Sequence, residues 1–87
     1  MVEKPIKNRI LDIGRRIAEI RAAKSFTQAQ LAEKMDRSLD FVQVAELKGQ
    51  ITLQSLFLFA DALKVKVQEF YKPPKTGKQM RGRPPKK

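Results

Sequence analysis

The sequence predicts an all-α fold: one small domain of five short helices, followed by a flexible basic tail. Three observations predict it. Apolar residues recur at spacings of three and four along most of the chain, the period of a helix with one buried face. Thr27, Ser38 and Thr52 each precede such a segment, where a side-chain oxygen can cap a helix start. No segment reads as a strand.

The first helix is expected from about Ile6 to Lys24, with Ile6, Ile10, Ile13, Ile17 and Ile20 as one apolar stripe. Thr27 and Gln30 then form a T-x-x-Q capping box, and Phe26 can staple to Leu31. That second helix runs from about Gln28 to Met35. After "DRS", Ser38 caps a third helix reaching about Leu47, with Asp40 in the first turn, where the helix dipole favours an acid. Gly49 supplies the turn in "KGQ". Thr52 caps a fourth helix, with Ile51 and Leu56 as its staple and Leu53, Leu56, Ala60 and Leu63 as its stripe. "VKVQEFY" reads as a fifth, with Val67, Phe70 and Tyr71 packing back. Pro73 and Pro74 end the ordered structure.

The chain has 87 residues, 41% of them hydrophobic, which allows a single core and leaves no room for a two-lobed enzyme. With no Cys there is no disulfide or thiolate metal site, and with no His the commonest general base and metal ligand are missing. There are no paired carboxylates at a plausible spacing and no Gly-rich phosphate loop. The expectation is a binding protein that is not an enzyme and takes no cofactor. No apolar run reaches the ~18 residues of a membrane span, and no signal peptide precedes the first helix, so a cytoplasmic protein with no membrane partner is expected.

Charge divides the chain at residue 71. Residues 1–71 carry 12 basic and 9 acidic side chains, and residues 72–87 carry seven basic and none acidic, so the tail holds seven of the ten net positive charges. A mildly basic domain with a strongly basic tail suits a polyanion partner; a tail that only aids solubility fits the same count.

A capped short helix, a three-residue turn and a second capped short helix, following a longer helix, make the layout of a helix-turn-helix domain. "RRIAEIRAAKSFTQAQLAEKM" resembles the start of the phage-repressor-like family, the Cro and lambda-repressor-type (XRE) regulators. "TLQSLFLFADALKVKVQEFY" resembles that family's last two helices. The resemblance covers Ile10 to Tyr71 and is weak over the third helix. It implies that Gln28 touches a DNA phosphate from the start of the second helix, and that Arg21 and Glu46 form a partly buried ion pair fixing the third. Thr27, Arg37, Ser38 and Lys48 complete the expected backbone-holding set.

The third helix departs from the family pattern. With Val42 and Ala45 inward, Leu39, Asp40, Gln43, Val44 and Leu47 face out. Gln43 can pair with adenine, and Leu or Val can meet a thymine methyl. Asp40 faces phosphate repulsion unless it caps the helix or accepts from cytosine N4. The loop after Glu46 is one residue shorter than the family's; if that residue is instead missing from the turn before Ser38, a second register is open, with Phe41 and Val44 inward. The first is preferred, because a helix-turn-helix turn tolerates length change poorly. Exposed Val44 and Leu47 also suit a contact with a partner protein.

Phe57, Leu58, Val67, Phe70 and Tyr71 make the C-terminal end of the domain unusually apolar, either as a well-filled core or as the interface of a homodimer. In the tail, Arg81, Gly82, Arg83 and Pro84 resemble the core of an AT-hook. Gly82 lets the backbone lie deep in a narrow minor groove, and two arginines can extend along its floor. The reading is a dimeric, double-stranded-DNA-binding transcriptional regulator. The alternative is an antitoxin-type protein that binds a toxin or another regulator and represses its own operon.

Overall fold

A computed structural model describes residues 5–74 of the chain. Four α-helices and one 3₁₀ segment follow in order: α1 (Ile6–Ala23), α2 (Gln28–Met35), α3 (Leu39–Lys48), α4 (Leu53–Leu63) and the 3₁₀ segment (Val67–Tyr71). The expected fifth helix is therefore a 3₁₀ turn. Only three residues separate α4 from it, and Lys72, ahead of two prolines, is held extended at φ −74°, ψ 147°. Proline disfavours helical geometry in the residue before it, and a segment this short closes more readily with the i→i+3 bond seen from Glu69 N–H to Lys66 O.

The predicted caps form. Thr27 Oγ1 accepts the Gln30 N–H at 3.0 Å, and Gln30 Oε1 accepts the Thr27 N–H at 2.9 Å. Ser38 Oγ accepts the Phe41 N–H at 3.1 Å. At α4 the cap is fuller than the sequence suggested. Thr52 and Ser55 satisfy each other's backbone N–H groups, which lets Ser55 lie buried without an unpaired hydroxyl. By contrast, Pro5 opens α1 with no side-chain cap.

Left-handed residues end three of the helices, with Gly49 closing α3. Asp36 at φ 60° closes α2, and Lys64 at φ 58° closes α4; both are non-glycine residues in a region where a Cβ costs energy. At Asp36 this reversal, followed by extended Ser38, swings the chain into α3 within three residues.

The core lies between the helices: α3 packs against α1 and α2, α4 against α2 and α1, and the 3₁₀ segment closes it against α1 and α4. Ile17, Ile20, Leu31, Val42, Ala45, Phe59, Leu63 and Phe70 are buried in it. The rings of Phe41 and Phe59 stack at 5.9 Å. Val42 and Ala45 point inward, so α3 takes the first of the two registers. The backbones of α1 and α3 touch at Gly14, where a Cβ would stand 2.5 Å from the Ala45 carbonyl oxygen. Gly49, at φ 68°, turns the chain out of α3 directly against Ile10, whose Cγ2 a Cβ there would meet at 2.6 Å.

Three residues of the expected stripes lie outside the core. Ile6 and Ile10, expected in the core, are 66% and 40% exposed, and Leu53 on α4 is 69% exposed. At 18 residues α1 is longer than any element packed on it, so its first two turns extend past their cover. Leu53 lies in the first turn of α4, one residue past the cap, and its place in the stripe is taken by Ser55 and Phe59.

Candidate nucleic-acid interface

α2 and α3 present their N-termini and one face of α3 outward. Leu39, Asp40 and Leu47 are exposed on that face, and Gln43 is half-buried between them. Thr27, Arg37, Ser38 and Lys48 are exposed around it. Thr27 and Ser38 use their oxygens as caps, which leaves each hydroxyl hydrogen free to donate outward. Gln28 and Ala29, in the first turn of α2, have no intrahelical carbonyl within reach of their N–H groups, and a helix start favours an anion there.

The face is sparsely charged. Arg37 lies over the Phe41 ring, its guanidinium carbon 5.7 Å from the centroid, and donates to the Asp36 carbonyl at 3.1 Å. Asp40 sits in the first turn of α3, and Lys48 ends that helix. No arginine or lysine occupies α3 before Lys48.

Behind the face lies a polar cluster that ties three helices together. Arg21 of α1 grips Glu46 of α3, with Nε to Oε2 at 2.7 Å and Nη2 to Oε1 at 3.2 Å. The third arginine donor, Nη1, reaches the Phe26 carbonyl at 2.8 Å. Glu46 is almost fully buried, and a buried carboxylate needs such partners to be tolerated. The ion pair that the family resemblance implied is thus present.

Gln28 belongs to the same cluster. Its Nε2 donates to Glu46 Oε1 at 2.9 Å, and its Oε1 accepts from Gln43 Nε2 at 3.4 Å. Its side chain is directed toward α3, whereas the resemblance implied an outward contact. Sequence offers no signal for this link, because it joins residues 18 apart across a helix crossing. A second unforeseen link is Arg16, whose Nε donates to the Glu69 carbonyl at 2.8 Å and so pins the 3₁₀ segment to α1.

The residues expected at a dimer interface divide. Phe70 is wholly buried within the chain and offers no surface to a second copy. Leu58 and Val67 are half-buried against the core, while Phe57 and Tyr71 are exposed. Tyr71 shares an open apolar hollow with Ile10 and Leu53, and Phe57 follows one turn along α4. Arg81, Gly82, Arg83 and Pro84 lie outside the described residues. Among the described residues no helix is long and apolar enough to cross a membrane, and no cluster of three or more His, Cys, Asp or Glu is placed to hold a metal ion.

No protein-family profile and no curated protein matches the chain. Solved structures do. The restriction-modification controller protein C.AhdI from Aeromonas hydrophila is 28% identical, with a TM-score of 0.64 over 70% of this chain and 94% of its own. A hypothetical transcription factor, NHTF from Neisseria, is 22% identical, with a TM-score of 0.70 over 92% of this chain and 94% of its own. The described residues thus form an all-helical domain with the helix-turn-helix layout, similar in fold to two proteins described as regulators.

Proposed function

We propose that the chain is a DNA-binding transcriptional regulator that acts as a homodimer. The observation that carries this reading is the α2–turn–α3 unit with both helix starts open to solvent, in a fold similar to that of a restriction-modification controller. α3 enters the major groove. The first turn of α2, with Thr27, Ser38, Arg37 and Lys48, holds phosphates, while Leu39, Asp40 and Gln43 face the bases. The exposed Ile6, Ile10, Leu53, Phe57 and Tyr71 give a second copy an apolar surface, the self-complementary kind that a two-fold interface uses. The tail adds Arg81 and Arg83 to an A/T-rich minor groove, with Gly82 and Pro84 keeping the backbone slim and extended.

Selection of bound sites from random-centred duplexes tests this. The expected product is a pair of half-sites about 34 Å apart, flanked by A/T. A chain ending at Pro74 loses Lys75, Lys78, Arg81, Arg83, Lys86 and Lys87. Six fewer phosphate contacts per protomer, twelve per dimer, flatten the log–log salt slope of dimer binding by about 11. Absence of any enriched site overturns the reading, and an unchanged slope removes the tail from it.

A second reading is favoured by Leu47, 71% exposed beside an apolar hollow that it shares with Ala18, Ala22 and Ala23. In that reading the protein neutralises a partner such as a toxin through α3 and also represses its own operon. Co-purification with a protein encoded beside it, lost on Leu47→Lys, is the discriminating result.

A further inference from the structure

Glu46 does more than seat α3. Its carboxylate oxygens only accept hydrogen bonds. The Gln28 atom 2.9 Å from Oε1 is therefore the amide nitrogen. That leaves the Gln28 carbonyl oxygen toward Gln43, 3.4 Å away. A carbonyl oxygen also only accepts, so Gln43 must turn its own nitrogen inward. The two ends of a glutamine amide are ordinarily interchangeable in outline. Here both amides are oriented from one buried carboxylate, and the donors run one way, from Gln43 to Gln28 to Glu46.

This direction has a consequence at the outer edge. The Gln43 amide carries two N–H donors, and one is committed to Gln28. What remains for a ligand is one N–H beside one carbonyl oxygen. Adenine presents the complement in the major groove, an N7 acceptor beside an N6–H donor. Guanine presents two acceptors, N7 and O6, and would set a lone pair against the Gln43 oxygen.

We propose that Gln28 and Glu46 are positioning residues that set base specificity, by locking Gln43 in the orientation that accepts adenine and rejects guanine. The proposal rests on the reading of α3 as the major-groove element. It gives the Gln28 side chain an inward task and leaves phosphate binding at α2 to the backbone and to Thr27.

The test uses the full chain. Sites are enriched from random-centred duplexes, and Gln43→Ala identifies the position that Gln43 reads as the one whose preference disappears. Fluorescence anisotropy then compares the enriched duplex with its A-to-G counterpart. The wild type is expected to favour adenine roughly tenfold, the scale of one bidentate contact. Gln28→Met keeps the side-chain length and removes both polar atoms. The adenine-to-guanine ratio should fall to about twofold, with a smaller loss of affinity for the adenine duplex. Gln28→Ala is measured in parallel, with thermal melts of both variants, so that one poorly folded variant still leaves a reading. A uniform loss on all duplexes at an unchanged ratio means that Gln28 only braces α3, and overturns the proposal. So does guanine at the Gln43 position, or a Gln43→Ala variant with no positional effect. If the wild type enriches no site, the regulator reading itself fails and this proposal fails with it.

Discussion

The two halves of α1 carry the same apolar pattern and meet different fates. From Gly14 to Arg21 nearly every group is engaged: Gly14 against the carbonyls of α3, Ile17 and Ile20 in the core, Arg16 on Glu69, Arg21 on Glu46. Ile6 and Ile10 continue the same spacing one and two turns earlier and remain exposed. The period of a stripe shows which face a helix can bury. Whether anything arrives to cover that face depends on the length and placement of the other elements, which the stripe does not encode.

Five substitutions test this contrast, all read by urea denaturation at a protein concentration low enough to keep the chain monomeric. The largest effect is expected from Arg21→Met, which strands a buried carboxylate and should cost about 3–5 kcal/mol. Next, Ile17→Ala should cost about 2–5 kcal/mol, whereas Ile10→Ala should cost below about 1 kcal/mol. Equal losses at the two isoleucines would break the comparison. Gly14→Ala forces a methyl into the Ala45 and Glu46 carbonyls and should cost about 1–3 kcal/mol, despite alanine's better helix propensity. The smallest change is a gain. Lys64→Gly relieves a left-handed side chain and should add about 0.5 kcal/mol, raising Tm by a few degrees.

Local chemistry was legible. The Thr27–Gln30 box, the Ser38 and Thr52 caps and the Gly49 turn all depend on residues within a few positions of one another, and they appear as read. Arg21–Glu46 was accessible only through a family resemblance, since nothing in its spacing of 25 residues announces a contact. The links from Gln28 to Glu46 and from Arg16 to Glu69 were not accessible. They exist because helices cross, and either polar residue alone looks like ordinary surface. Phe70 shows the same ambiguity for apolar groups. A phenylalanine near the end of a domain reads equally as core or interface, and the Arg16 pin on the neighbouring residue helps to fold it inward.

Because Pro5 offers α1 no side-chain cap and, among the described residues, little packs over Ile6 and Ile10, opening the first two turns costs far less than unfolding the domain. The amides of Ile10 to Ile13 should therefore exchange with deuterium through local fraying, while those of Ile17 and Ile20 exchange only through global opening. A second copy seated on Ile6 and Ile10 would have to suppress that fraying. The exchange rate at one end of a single helix, followed against protein concentration, then becomes an assembly meter that needs no DNA and no label.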